Sequence, residues 1–221
     1  MRQHMKEQGA RTQAKREQVL EGARQVFLRE GFATASTDAL AQEAGVSKST
    51  LYVYYPSKED LFVEVMRKFL LEHPQTQLLA FVQEMEPRCL EDLRVTLLTL
   101  AHKLLATIMH PEALALLRTI IADAHRFPQL TETLRSTIHE RAAVEVSLLL
   151  ERARINGVAL RQGDTMLMTR LFVGSLMTYV MFDGLLHPQG EPALPDAGQI
   201  EAMVTLFLSA IVDPRELERN Q

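Results

Sequence analysis

Apolar side chains recur three or four residues apart in one stretch after another along this chain, and nowhere does the sequence alternate with the two-residue period of a half-buried strand. Val19, Leu20, Ala23, Val26 and Phe27 predict a helix that Gly31 stops. Ala39, Leu40 and Ala44 share one side of a short helix that Ser36 or Thr37 can cap, with Asp38 suited to its dipole and Gly45 supplying a left-handed end. Val46 reads as a buried turn residue. Ser47 then caps a helix from Lys48 to about Tyr54, with Leu51 and Tyr55 pointing inward and Pro56 ending it. Ser57 to Asp60 is an S-x-x-D box that opens the next helix, carried by Leu61, Phe62, Val65, Met66 and Phe69 as far as His73-Pro74.

The remainder is helical by the same test. A short segment carries Leu78, Leu79, Val82 and Met85, and a long one runs from about Leu90 to Met109. Pro111 opens Glu112 to Ala122, so apolar all round that it reads as buried. A helix opened by Phe127-Pro128 extends to about Ile155 and stops at Asn156-Gly157; the last two run from Asp164 to Leu186 and from Ala197 to Val212, separated by a Pro/Gly-rich loop. The uncharged run Leu171 to Phe182 lies between Arg170 and Asp183 and falls short of the ~20 residues a membrane span requires. The fold class is therefore all-α, with no membrane partner expected.

Two short helices joined by a tight turn form the layout of a helix-turn-helix. The outward side of the second presents Lys48, Ser49, Thr50, Tyr52, Val53 and Tyr54, a set of hydroxyls, one cation and one methyl-bearing side chain that suits phosphates and base edges. Charge agrees: residues 1–68 carry 11 basic against 9 acidic side chains, whereas the rest carry 13 against 19. A mildly basic head on an acidic body favours one nucleic-acid face over general polyanion binding. Arg2, Lys6, Arg11, Lys15 and Arg16 could form a mobile arm along the phosphates or a merely solvated terminus.

From Thr37 to Leu61 the run T-x-x-L-A-x-x-A-G-V-S-x-x-T-L-Y-x-Y-Y-x-S-K-E-x-L resembles the TetR family of bacterial transcriptional regulators, and the close match covers about residues 12–62. Two positions depart from the family pattern: Ser49 stands where Gly is usual, and Tyr55, in place of Phe, brings a buried hydroxyl that needs a partner. The resemblance implies a three-helix N-terminal helix-turn-helix DNA-binding domain and a larger helical ligand-binding and dimerisation domain. On that basis the chain divides into an arm (1–11), a DNA-binding domain (12–57), a second domain (58–215) and a tail (216–221). Thr37, Tyr52, Tyr54 and Lys58 would contact phosphates, with Lys48, Ser49, Thr50 and Val53 near base edges. Lys at a helix start is unfavourable without an anion, which supports a phosphate for Lys58.

The resemblance further implies a homodimer on a palindromic double-stranded operator, because two reading helices about 34 to 36 Å apart reach successive major grooves. The dimer face would come from the last two helices through Met168, Phe172, Ser175, Tyr179, Ile200, Val204 and Phe207, which could alternatively close the monomer core. A small-molecule inducer would enter among the central helices and displace the bridging helix. Candidate lining is Met66, Phe69, Leu70, Leu104, Met109, Leu116, Phe127, Met177 and Phe182, although ordinary core is the commoner role for such residues. The methionines, 10 in the chain, suit variable lipophilic or aromatic ligands. The FPQL entry of the Phe127-Pro128 helix resembles a subgroup linked to efflux genes.

No enzyme or cofactor is expected. His139-Glu140 starts like a zinc-protease motif, but Ala143 stands at the second ligand position, and Gly174-Ser175 lacks a nucleophile elbow's second glycine. His102, Asp123, His125 and His139 could gather as metal ligands across helices, but scattered surface or satisfied core histidines are the commoner arrangement and no metal is expected. The single Cys89 excludes an intrachain disulfide and reads as an inert core thiol in a reducing cytoplasm; the N-terminus shows no export signal. Two other functions fit less well: an architectural DNA-binding protein without an inducer, or a helical ligand-binding scaffold that has lost DNA binding.

Overall fold

In a computed structural model the chain is described over residues 2–71, 77–187 and 192–213, with the side chains of 2–9 and 137–138 left aside. The expected His73-Pro74 break, much of the loop before Pro195 and the C-terminal tail lie outside these residues. Among the described residues every regular element is helical, and the only pairing of strand type is an isolated bridge between Leu160 and Val212.

Helix α1 (Arg2–Thr34) is interrupted at Gly31, whose φ of 76° is left-handed, so the predicted stop is a break followed by one further turn. The helix begins at Arg2, so Arg11, Lys15 and Arg16 sit on α1 rather than in a loose arm. Helices α2 (Thr37–Glu43) and α3 (Lys48–Tyr54) follow, then α4 (Lys58–Leu71), α5 (Leu78–Glu84), α6 (Leu90–Ile108), α7 (Pro111–Asp123) and α8 (Pro128–Leu134). A π-helical stretch, Arg135–Glu140, leads into α9 (Arg141–Ile155); α10 (Thr165–Tyr179) passes likewise into a π-helical Val180–Leu185 before α11 (Ala197–Ile211). Neither π stretch leaves a mark in the apolar periodicity, and both fall inside segments that read as single helices.

The chain forms two compact units. The first gathers residues up to Lys68 together with Ala115–Arg135. Its core is aromatic: Phe27 and Phe32 meet the Phe62 ring edge-on at centroid distances of 4.8 and 5.1 Å, and Phe127 meets Phe32 at 5.0 Å. These contacts explain why residues 115–135, far along the chain, belong with the N-terminal helices rather than with the 58–215 division. Gly22 lies where a Cβ would come within 2.6 Å of the Ala44 backbone, so the close crossing of α1 and α2 depends on a missing side chain.

The second unit comprises Phe69–Leu114 and the residues from Ser136 onward. Leu93, Leu97, Leu100, Leu149, Leu150, Phe172, Leu176 and Val204 form its centre, each fully buried. Thr165–Leu185 is by length and composition long enough to cross a bilayer, yet Phe172, Leu176 and Val180 on it pack into this core. Helix α7 is less buried than its composition predicts, since Ile121 is 56% exposed on an outward side shared with Arg118 and Ala122. Cys89 is also a correction: it is exposed, and its Sγ accepts from the Asp92 amide as the N-cap of α6.

Candidate nucleic-acid interface and ligand cavity

The turn between α2 and α3 is held almost wholly by local groups. Ser36 Oγ accepts from the Ala39 amide at 3.1 Å and starts α2. At its end Gly45 takes φ 60°, the Val46 amide donates to Ala41 O (2.9 Å) and the Gly45 amide to Gln42 O (3.0 Å), which completes a Schellman motif. Ser47 then caps α3 by accepting from the Thr50 amide at 3.1 Å. Gln18 Nε2 of α1 donates to Ala44 O at 2.7 Å, which fixes the turn to the helix beneath it. Val46 is only half-buried, less than its apolar character predicts.

Leu51 and Tyr55 face inward, so the opposite side of α3 is free. Val53 is 79% and Tyr52 45% exposed; Lys48 and Ser49 are exposed, and Thr50 and Tyr54 half-buried. The Tyr52 hydroxyl lies 3.2 Å from Thr37 Oγ1, which joins the first residue of α2 to the middle of α3. Ser49 Oγ is 2.8 Å from Ser47 Oγ, and Lys48 Nζ pairs with Asp38 at 2.7 Å on an exposed edge where water and a phosphate can compete. The Tyr55 hydroxyl finds its partner in Arg16, whose Nε donates at 3.0 Å while the guanidinium lies over the ring. Burial raises the Tyr55 phenol pKa, and the neighbouring guanidinium opposes that.

Lys58 departs from expectation. Its ammonium donates to Phe32 O (2.8 Å), Ala35 O (3.1 Å) and Ala33 O (3.5 Å), carbonyls at and just past the end of α1, and sits 4.5 Å from the Phe32 ring centre. All three donors are thus directed to the chain itself. The conflict between a cation and a helix start is offset by carbonyl dipoles rather than by an anion.

The second unit holds a cavity of about 260 Å³. Of the expected ligand contacts, Leu70, Leu104 and Met177 line it. Met66 and Leu116 are buried in the first unit and Phe127 belongs to its aromatic cluster, whereas Phe182 is 65% exposed. Met109 packs in the second unit's core, and Phe69 is buried with its ring 5.6 Å from that of His110. Sequence reasoning missed Leu71, Leu78, Leu79, Leu100, Val173 and Thr169 in the wall, together with His139, Glu145 and Arg170. Among the described residues no three His, Cys, Asp or Glu side chains gather as a metal site, His102, Asp123, His125 and His139 included.

The expected dimer helices carry apolar surface, but largely on the other side. Phe172 and Val204 are fully buried, and Met168, Ile200 and Phe207 nearly so, within the chain's own core. The apolar residues left outside are Leu167 (57%), Leu171 (56%) and Leu206 (70%). Ser175, Tyr179 and the edge of Phe207 border a groove with Leu171, Met203 and Leu206 between α10 and α11.

A capped helix-turn-helix on an aromatic-cored unit, with a helical second unit, defines a regulator of the tetracycline-repressor class. The chain belongs to the TetR family: residues 19–65 match the bacterial regulatory proteins of the tetR family, and residues 95–210 match the C-terminal domain of AefR-like transcriptional repressors. Over 57 residues the chain is 40% identical to the HTH-type transcriptional regulator RutR of Escherichia coli, a stretch that spans only 26% of this chain and 27% of that relative's length. A TetR-family regulator of Mesorhizobium loti is similar in structure with a TM-score of 0.69 at 26% identity, covering 92% of this chain and 99% of the other. The flavonoid-responsive regulator FrrA follows at 0.64 and 29%, covering 91% and 98%. A TetR regulator of Agrobacterium tumefaciens reaches 0.72 at 23% identity over 92% and 97%, a likeness of fold.

Proposed function

We propose that the protein is a transcriptional repressor that binds a palindromic operator as a homodimer and is released by a small lipophilic or aromatic inducer. The observation that carries this reading is the outward side of α3, where Lys48, Ser49, Thr50, Tyr52 and Val53 stand on a helix whose start, end and inward side are all fixed by other groups. Such a helix can enter a major groove without rearranging. Thr37, Tyr52 and Tyr54 would meet phosphates; Lys48, Ser49, Thr50 and Val53 would approach base edges. Lys58 supports the domain and is not assigned a phosphate.

The apolar groove of α10 and α11, with Leu167, Leu171 and Leu206, is the proposed dimer face. The cavity, apolar and about 260 Å³, favours a sensor over an architectural protein with a closed core. Its wall includes Leu70 and Leu71, the last turn of the helix that Lys58 begins. An occupant that fits only one setting of that turn would shift the operator-binding equilibrium, and one that fits both equally would not. FrrA, by its name responsive to flavonoids, is a precedent for an aromatic inducer.

The test is selection of bound sequences from a random DNA pool, followed by affinity against salt concentration for the parent and for Lys48→Ala plus Tyr52→Ala. A palindrome with a steep salt dependence, weakened in the variant, is the expected result. Enrichment of no sequence, with parent and variant binding alike, would overturn the proposal.

A further inference from the structure

Thr169 occupies an unusual position in the cavity wall. It is 1% exposed, and its Oγ1 is one of two buried side-chain polar atoms among the described residues with no hydrogen-bond partner in the protein. Other helical threonines return their hydroxyls to the preceding turn: Thr96 to Asp92 O at 2.7 Å, Thr107 to Lys103 O at 2.7 Å, Thr119 to Ala115 O at 3.1 Å. Thr165, one turn earlier on α10, bonds Ser147 and Glu151. An orphaned hydroxyl inside a protein costs free energy and calls for an explanation. Thr169 also lines the cavity, whose remaining buried wall is aliphatic; its hydroxyl is closed to a molecule the size of water, so an occupant must part the wall slightly to reach it.

We propose that the cavity takes a compact, uncharged molecule whose single polar group hydrogen-bonds Thr169 Oγ1. This inference rests on the reading of the cavity as the effector site. Size follows from volume: an apolar cavity of about 150 Å³ admits benzene, so about 260 Å³ suits roughly ten to twelve non-hydrogen atoms, two fused rings for example. Charge is disfavoured because the ionisable lining groups stand at its solvent side. His139 and Arg170 are exposed, and half-buried Glu145 already accepts from Gln83 at 2.9 Å. An ion carried inward to Thr169 would lose its hydration without a buried counter-charge. A hydroxyl or carbonyl loses far less, and the threonine can act as donor to one or acceptor from the other.

The probes are naphthalene, β-naphthol and naphthoate, titrated calorimetrically into the full-length protein. β-Naphthol is expected to bind more tightly than naphthalene by about threefold to tenfold. Thr169→Val, which keeps the shape, should erase that advantage without weakening naphthalene and should melt no lower than the parent. Thr169→Ser should retain the advantage, which separates loss of the hydroxyl from damage to the helix. Naphthalene binding with no gain from the hydroxyl, or a gain that survives Thr169→Val, would overturn this inference and leave the effector site standing. Tighter binding of naphthoate, lost in Arg170→Gln, would also overturn it in favour of an anion. Failure of all three probes to bind would overturn the effector reading itself.

Discussion

The crossing of α1 over α2 can be tested with one methyl group. A Cβ on Gly22 would lie 2.6 Å from both Cα and N of Ala44 and 2.9 Å from its Cβ, whereas ordinary contact begins at 3.4 Å. The helices would therefore have to part by 0.8 Å at this point, the difference between those distances. Backbone atoms cannot rotate aside as a flexible side chain can, so the cost belongs at the upper end of overpacking, about 3 kcal/mol. The better helix propensity of alanine returns about 1 kcal/mol. Gly22→Ala should thus destabilise by about 2 kcal/mol and lower the melting temperature by roughly 4 to 8 °C for a chain of this size. Separation would also strain the Gln18 bond to Ala44 O and tilt α3, so operator affinity should fall at temperatures where the variant is still folded. Gly174→Ala is the internal control, because a Cβ there meets nothing within 4 Å and the same propensity gain should be neutral or stabilising in α10. Thermal melts of the three proteins decide the matter. A Gly22→Ala protein as stable as its parent would refute the close crossing.

Two further outcomes follow from the charges of the first unit. Lys58→Met should lower stability by about 1 to 3 kcal/mol in denaturant titration, since three carbonyls lose a cationic donor. It should leave the salt dependence of operator binding unchanged, whereas loss of a lysine paired with a phosphate would reduce that slope by about one. The Glu64 carboxyl is held below its ordinary 4.5, first by hydrogen bonding to Arg67 and further by the charges of Arg67, Arg16 and Lys68. A depressed carboxylate adds stability above its unfolded value and loses it as the pH falls through the folded one, so Glu64→Gln should cost stability at neutral pH and little once the pH is well below 4.5. Melting curves across that range check the sign.

What could be read from the sequence was what neighbours in the chain decide. Ser36, Gly45 and Ser47 act within one turn of their own positions, so caps and turn were legible residue by residue. The dimer helices show where that stops: α10 and α11 have apolar residues on more than one side, and periodicity cannot say that Phe172 and Val204 turn inward while Leu171 and Leu206 remain outside. Lys58 is ambiguous for a related reason, because the carbonyls it meets stand at the end of α1, 23 to 26 residues earlier. The cavity was legible only at Leu70, Leu104 and Met177, since α4, α5, α6, α9 and α10 each contribute a few aliphatic residues that resemble any other core. Gly22 and Thr169 gave no signal of their own, for one matters through a missing atom and the other through a missing partner.

The π-helical end of α10 bears on how this chain aligns with shorter or longer relatives. The Leu186 amide reaches back five residues to Met181 O at 2.9 Å, the signature of a helix that has accepted one extra residue. Val180 and Gly184, spaced by four, both stay buried in line with Phe172 and Leu176, because the wider turn absorbs the drift that a continued α-helix would accumulate. Loss of a single codon here would restore regular winding and bring Leu185 to the place of Gly184, where even a methyl group would meet Leu114 at 3.1 Å. Indels in this turn should therefore be tolerated only together with a smaller residue at position 114, so that two sites distant in the gene would change as one.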